Sequence, residues 1–109
     1  MITVELIYDK DCPNAAEARV QLMRAFSETG IPARWVEWDR GDPASPPYVR
    51  HYGSPTVLVD GKDVAGVGAT GDVSCCRLYS DTEGGFRGAP AAAMIAGALR
   101  NIAGKAADK

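Results

Sequence analysis

The octapeptide Tyr8-Asp9-Lys10-Asp11-Cys12-Pro13-Asn14-Ala15 joins two segments of different period. Before it, Thr3-Val4-Glu5-Leu6-Ile7-Tyr8 is dense in β-branched, apolar and aromatic residues, the mark of a strand covered on both faces. After it, Ala15, Ala18, Leu22, Ala25 and Phe26 recur at steps of three and four, which predicts a helix from Pro13 to Thr29. Proline is tolerated in a first helical turn, where its missing N–H would be unpaired anyway. Cys12 is therefore expected at a helix N-terminus. The free N–H groups and the dipole there favour an anion, and a thiol so placed is biased toward the reactive thiolate.

Working outward, Gly30 reads as a C-terminal cap and Pro32 as a stop. Residues 33–38 read as a second strand, parallel to the first, so the opening is a right-handed βαβ unit. Asp39 to Pro47 is rich in Gly and Pro and reads as a connector, followed by a short helix from Pro47 to His51. Thr56-Val57-Leu58-Val59-Asp60 is a third strand, and Asp60-Gly61 is a two-residue hairpin signal returning a fourth strand over Lys62 to Ala65. The 24 residues from Gly66 to Ala89 are glycine-rich and show no clear period. A last helix is predicted from Pro90 through Met94, Ile95, Ala98, Leu99 and Ile102 to about Gly104. The expected order is β-α-β-α-β-β-α. It describes one α/β domain over residues 1–104, with a four-stranded mixed sheet, flanking helices, an inserted loop at 66–89 and a frayed tail at 105–109.

Composition narrows the function classes. The chain has 109 residues, 46% hydrophobic and 24% charged, which suits one small globular domain. A net charge of −2 with scattered Lys and Arg argues against nucleic acid and acidic membranes as partners. No apolar run approaches the roughly 20 residues that span a bilayer. The N-terminus shows no signal-peptide pattern, so a cytoplasmic location is expected. Three cysteines are too few for a secreted disulfide scaffold.

Two motifs carry a resemblance to a known family. Asp11-Cys12-Pro13 follows the first strand, and Gly53-Ser54-Pro55-Thr56 precedes the third. Together, in this order, they resemble the thioredoxin and glutaredoxin superfamily from Thr3 to about Ala65, with the last helix added. The resemblance implies a thioredoxin-like fold, Cys12 as nucleophile and Pro55 as a cis-proline facing it. It makes Pro13, Ser54, Pro55 and Thr56 the substrate-binding positions, for a thiol or disulfide substrate that is either a protein or glutathione. One departure matters. Where the family has a second cysteine, three residues on, this chain has Ala15.

Cys12 must then work alone through a mixed disulfide with glutathione as co-substrate, or with a resolving thiol from elsewhere. Cys75 and Cys76 are the other cysteines, adjacent and within the long insertion. The first expectation is thiol-dependent redox chemistry by Cys12, resolved by Cys75 or Cys76, with no required cofactor. The second is soft-metal binding by Cys12, Cys75 and Cys76, since thiolates select soft metals. A Cys-Cys pair opposite a thioredoxin-type cysteine also resembles thioredoxin-like proteins linked to mercury resistance. The third is a non-catalytic binding module. His51, the one histidine, reads as a surface residue, and Asp11 as the cap of the first helix.

Overall fold

A computed structural model describes residues 2–66, 79–80 and 86–107. Six strands and two α-helices appear there: β1 (Val4–Tyr8), α1 (Ala15–Thr29), β2 (Val36–Asp39), β3 (Thr56–Val59), β4 (Lys62–Asp63), β5 (Tyr79–Ser80), β6 (Phe86–Arg87) and α2 (Ala92–Ala107). A 3-10 helix spans Pro47–His51, between β2 and β3. Four strands form one mixed sheet in the order β2-β1-β3-β4. β1 runs parallel to β2 and antiparallel to β3, and β4 is antiparallel to β3. The protein is therefore α/β, with helices flanking a four-stranded mixed sheet.

Strand alternation divides the interior in two. Val4 and Leu6 of β1 stand opposite Val59 and Val57 of β3 and face α1 and α2. Leu22, Ile95 and Leu99, all fully buried, fill that side, and each such side chain contributes about 1.5–3 kcal/mol by leaving water. Ile7 and Leu58 point the other way, onto Val49 of the 3-10 helix. Both faces of β1 are thus covered, as its apolar density requires. The two tryptophans divide likewise. Trp35 packs on the helical side, its ring stacked on Phe26 at 6.0 Å with 9° between planes, and Trp38 packs on the other.

The second face also holds a carboxylate. Glu5 is 8% exposed and accepts hydrogen bonds from Trp38 Nε1 at 2.9 Å and from the Tyr48 hydroxyl. Such donors are what make a buried acid tolerable. Loss of water around its hydroxyl, and then the bond to Glu5, push the Tyr48 pKa up to about 12. On the helical side Arg19 clasps Glu37 through two nitrogens, at 2.9 Å each at closest, and lies 5.2 Å from the Tyr8 ring centre. Hydrogen bonding to Arg19 holds the Glu37 carboxyl below its ordinary value.

Several boundaries differ from the sequence reading. β2 begins at Val36 rather than at 33, and β4 ends at Asp63 rather than Ala65. The Asp63 carboxylate accepts the Ala65 N–H at 3.0 Å, which turns the chain away from the sheet. The hairpin itself is tight, with positive φ at both Asp60 and Gly61. α2 passes through Gly104 to Ala107, because a single glycine costs a helix only about 1 kcal/mol. The insertion contains a second small sheet, β5 paired antiparallel with β6. Strands of two residues are too short to leave a period in the sequence.

Candidate functional site

Cys12 lies in the turn between β1 and α1 and is half-buried. Its N–H donates to the Asp9 carbonyl at 2.9 Å, and its own carbonyl accepts the Ala15 N–H at 3.4 Å. Two expectations about this turn need correction. The N-cap is Asn14, not Asp11, and no side chain caps the helix. The Asn14 carbonyl accepts the first i+4 bond, from Ala18, at 3.0 Å. Pro13 therefore precedes the helix instead of starting it, and Cys12 stands two residues before the cap. The field of a helix end falls off within its first turn, so the sulfur sits at the approach to that field. Pro13 and Asp11 are both exposed.

The Ser54–Pro55 peptide bond, just ahead of β3, is cis. Ser54, Pro55 and Thr56 are all fully buried. Their polar groups are used inside the protein. The Ser54 hydroxyl accepts the Asp9 N–H at 2.8 Å, and the Thr56 hydroxyl donates to the Gly53 carbonyl at 2.7 Å. Tyr79 of β5, 2% exposed, donates its hydroxyl to the Pro55 carbonyl. The Ser54 and Thr56 side chains thus shape the loop, and offer no hydroxyl at the surface.

Asp9 is where these parts meet. Besides its backbone bonds to Ser54 and Cys12, its carboxylate receives Arg40 NH1 on both oxygens, at 3.0 and 2.9 Å. Arg40 follows β2, and its N–H donates to the Tyr8 carbonyl at 2.8 Å, continuing the parallel ladder. Its NH2 reaches the Arg50 carbonyl of the 3-10 helix at 3.4 Å. Carboxylates of Asp11, Asp39 and Asp42 border the open groove beside this turn. Asp39 and Asp42 accept the N–H groups of Gly41 and Ala44, so both help fold their own loop.

The second small sheet reaches the same place. Gly88, just after β6, lies against Asn14, and a Cβ there would fall 2.3 Å from the Asn14 side chain. Sequence reading missed this contact, the Asp9–Arg40 pair and the Tyr79–Pro55 bond. It also missed Gln21, 3% exposed, whose Oε1 accepts the Ala92 N–H at the start of α2 at 2.9 Å. A signal existed for Gln21, a polar residue three after Ala18 and four before Ala25 on the apolar stripe.

Ala15, where the resemblance would have a second cysteine, is buried as the first residue of α1. Cys75, Cys76 and Arg77 lie outside the described residues. Among the described residues no group of three His, Cys, Asp or Glu side chains could hold a metal ion. His51 is exposed at the end of the 3-10 helix. No described helix is long and apolar enough to cross a membrane. Comparison with known protein families, with curated proteins and with solved structures finds no match to the chain.

Proposed function

We propose that this is a thioredoxin-like, thiol-dependent redox protein with Cys12 as its nucleophile. The observation that carries the reading is the Asp9 N–H bond to the Ser54 hydroxyl. It ties the turn holding the sulfur to the loop that the resemblance makes the substrate platform. The strand order β2-β1-β3-β4, with β1–β2 as its parallel pair, supports the same fold. In the reaction, the Cys12 thiolate attacks one sulfur of a substrate disulfide. That S–S bond breaks, a mixed disulfide forms on Cys12, and the departing thiolate takes a proton from water. A second thiol then attacks the Cys12 sulfur, so that the remaining half leaves as a thiol and a new disulfide joins Cys12 to the second sulfur. Reduced glutathione opens that bond by the same exchange, frees Cys12 and carries the oxidation away as glutathione disulfide.

Two sources of that second thiol fit the chain. Glutathione is one. Cys75 or Cys76 is the other, because they stand four and three residues before Tyr79 in the sequence, and Tyr79 is bonded to the Pro55 carbonyl. Reduction of insulin with reduced glutathione supplied as the electron donor is the test, on wild type, Cys12→Ser and Cys75→Ser/Cys76→Ser. Activity is expected to vanish with Cys12. A Cys12 that reacts with no alkylating reagent at neutral pH, or activity that survives Cys12→Ser, overturns the reading. Full activity in the double variant assigns resolution to glutathione.

A further inference from the structure

We propose that the Asp9–Arg40 ion pair is a positioning device. It fixes the spacing between the Cys12 turn and the Ser54–Pro55 loop, and so decides whether the thiol can engage a disulfide. The proposal rests on the reading of Cys12 as nucleophile and adds two residues that neither motif contains.

Asp9 makes three kinds of bond with three parts of the chain. Its N–H holds Ser54 at 2.8 Å, and its carbonyl holds the Cys12 N–H at 2.9 Å. Its carboxylate is gripped at 3.0 and 2.9 Å by Arg40. The backbone bonds of Asp9 set the turn and the loop at a common reference point, and the carboxylate fixes where that point sits. Arg40 is itself held at both ends, through its N–H on Tyr8 and its NH2 on Arg50. The Arg40 side chain is 10% exposed and that of Asp9 is 35% exposed. The nearly buried guanidinium shields the pair from the solvent screening that weakens a surface ion pair. Arg40 acts through Asp9, and both are positioning residues.

Two reagents distinguish positioning from simple integrity. An alkylating reagent needs only access to the sulfur. A disulfide must bring its S–S bond in line with the attacking thiolate while its other half lies along the neighbouring loop. Displacement by about 1 Å can cost up to ~100-fold in such a reaction.

The test measures second-order rates of Cys12 with iodoacetamide and with glutathione disulfide. The full chain in a Cys75→Ser/Cys76→Ser background is used, and the mixed disulfide is followed by mass spectrometry. In Arg40→Met and Asp9→Asn the disulfide rate is expected to fall about tenfold or more, with the iodoacetamide rate changed less than about twofold. Arg40→Lys, which keeps the charge, is expected to recover part of the loss. Should either variant fail to fold, Asp9→Glu/Arg40→Lys keeps the pair at an altered length, and its ratio of the two rates is expected to shift. Rates that fall in proportion, or a ratio that stays at the wild-type value, overturn the proposal. If wild-type Cys12 reacts with neither reagent, the reading of Cys12 falls and this proposal falls with it.

Discussion

At the scale of single residues, Ser54 and Gly88 are the sharpest tests of how the Cys12 turn is built. Ser54→Ala removes the acceptor of the Asp9 N–H. An orphaned backbone donor in that part-buried place is expected to cost about 1–3 kcal/mol, read as a lower urea midpoint. Gly88→Ala forces a methyl group into the Asn14 side chain, with an expected loss of about 1–3 kcal/mol from overpacking. The obstructing atoms are Cγ, Oδ1 and Nδ2 of Asn14. Asn14→Ala removes all of them, so the Gly88→Ala/Asn14→Ala double variant is expected to be more stable than Gly88→Ala alone. Additive losses would show that the two positions are not coupled. The places of Cys12, between β1 and α1, and of Pro55, just ahead of β3, were legible because a Cys-Pro step and a Ser-Pro-Thr step stand at element ends, and the cis bond was legible only through the resemblance. The Asp9–Arg40 pair was not. It joins residues 31 apart and exists because Tyr8 and Asp39 are register partners in the parallel β1–β2 ladder. No spacing rule in one sequence encodes that register.

At the scale of elements, the link between α1 and α2 departs from ordinary capping. The first N–H groups of a helix usually find a partner in their own preceding residue. Here the buried Ala92 N–H of α2 is satisfied by Gln21 from the middle of α1. Gln21 Nε2 in turn donates to Glu17 at 2.7 Å, which fixes the amide. Gln21→Leu keeps the volume and removes the acceptor, and is expected to cost about 1–3 kcal/mol in a denaturant titration. The loss should appear as earlier hydrogen exchange in the first turn of α2. An unchanged exchange pattern would mean that α2 docks without this bond. Helices α1 and α2 and strands β1 and β3 were legible because their apolar patterns span several residues, and the Asp60-Gly61 turn because Asp-Gly is itself a hairpin signal. β5 and β6 were hidden by their length, the true end of β4 by the bond from the Ala65 N–H to Asp63, and the end of α2 by the small cost of Gly104 inside a helix.

At the scale of the whole molecule, each face of the sheet has its own charged or titrating feature. The Arg19–Glu37 pair is about one third exposed on each side chain, so it is worth under about 1 kcal/mol. The Glu37 carboxyl is held below its ordinary 4.5. Its contribution is therefore present above that pH and lost as pH falls into the acid range. Arg19→Ala is expected to lie slightly below wild type at neutral pH and to converge with it in acid. On the other face the Tyr48 hydroxyl is raised from 10.0 to about 12. A raised value means its contribution is complete below pH 10.0 and disappears as pH climbs toward about 12. Ultraviolet titration is expected to show tyrosine absorbance still rising toward pH 12, and Tyr48→Phe should remove one tyrosine's share of that late step and its alkaline stability slope. Retention of the whole late step in Tyr48→Phe would assign it elsewhere. The mixed sheet with helices was readable from the order of elements alone. The division of the described helices between its two faces, α1 and α2 on one and the 3-10 helix on the other, was not.

The placement of the two tryptophans gives the molecule a pair of independent optical probes. Trp35 is stacked on Phe26 beneath the helical layer, whereas the Trp38 indole N–H is bound to the Glu5 carboxylate under the 3-10 helix. Trp35→Phe leaves emission that reports only on the side of the 3-10 helix, and Trp38→Phe leaves emission that reports only on the side of α1 and α2. Unfolding curves from the two variants, laid over one another, would reveal whether the halves of this small protein melt as one cooperative unit or in succession.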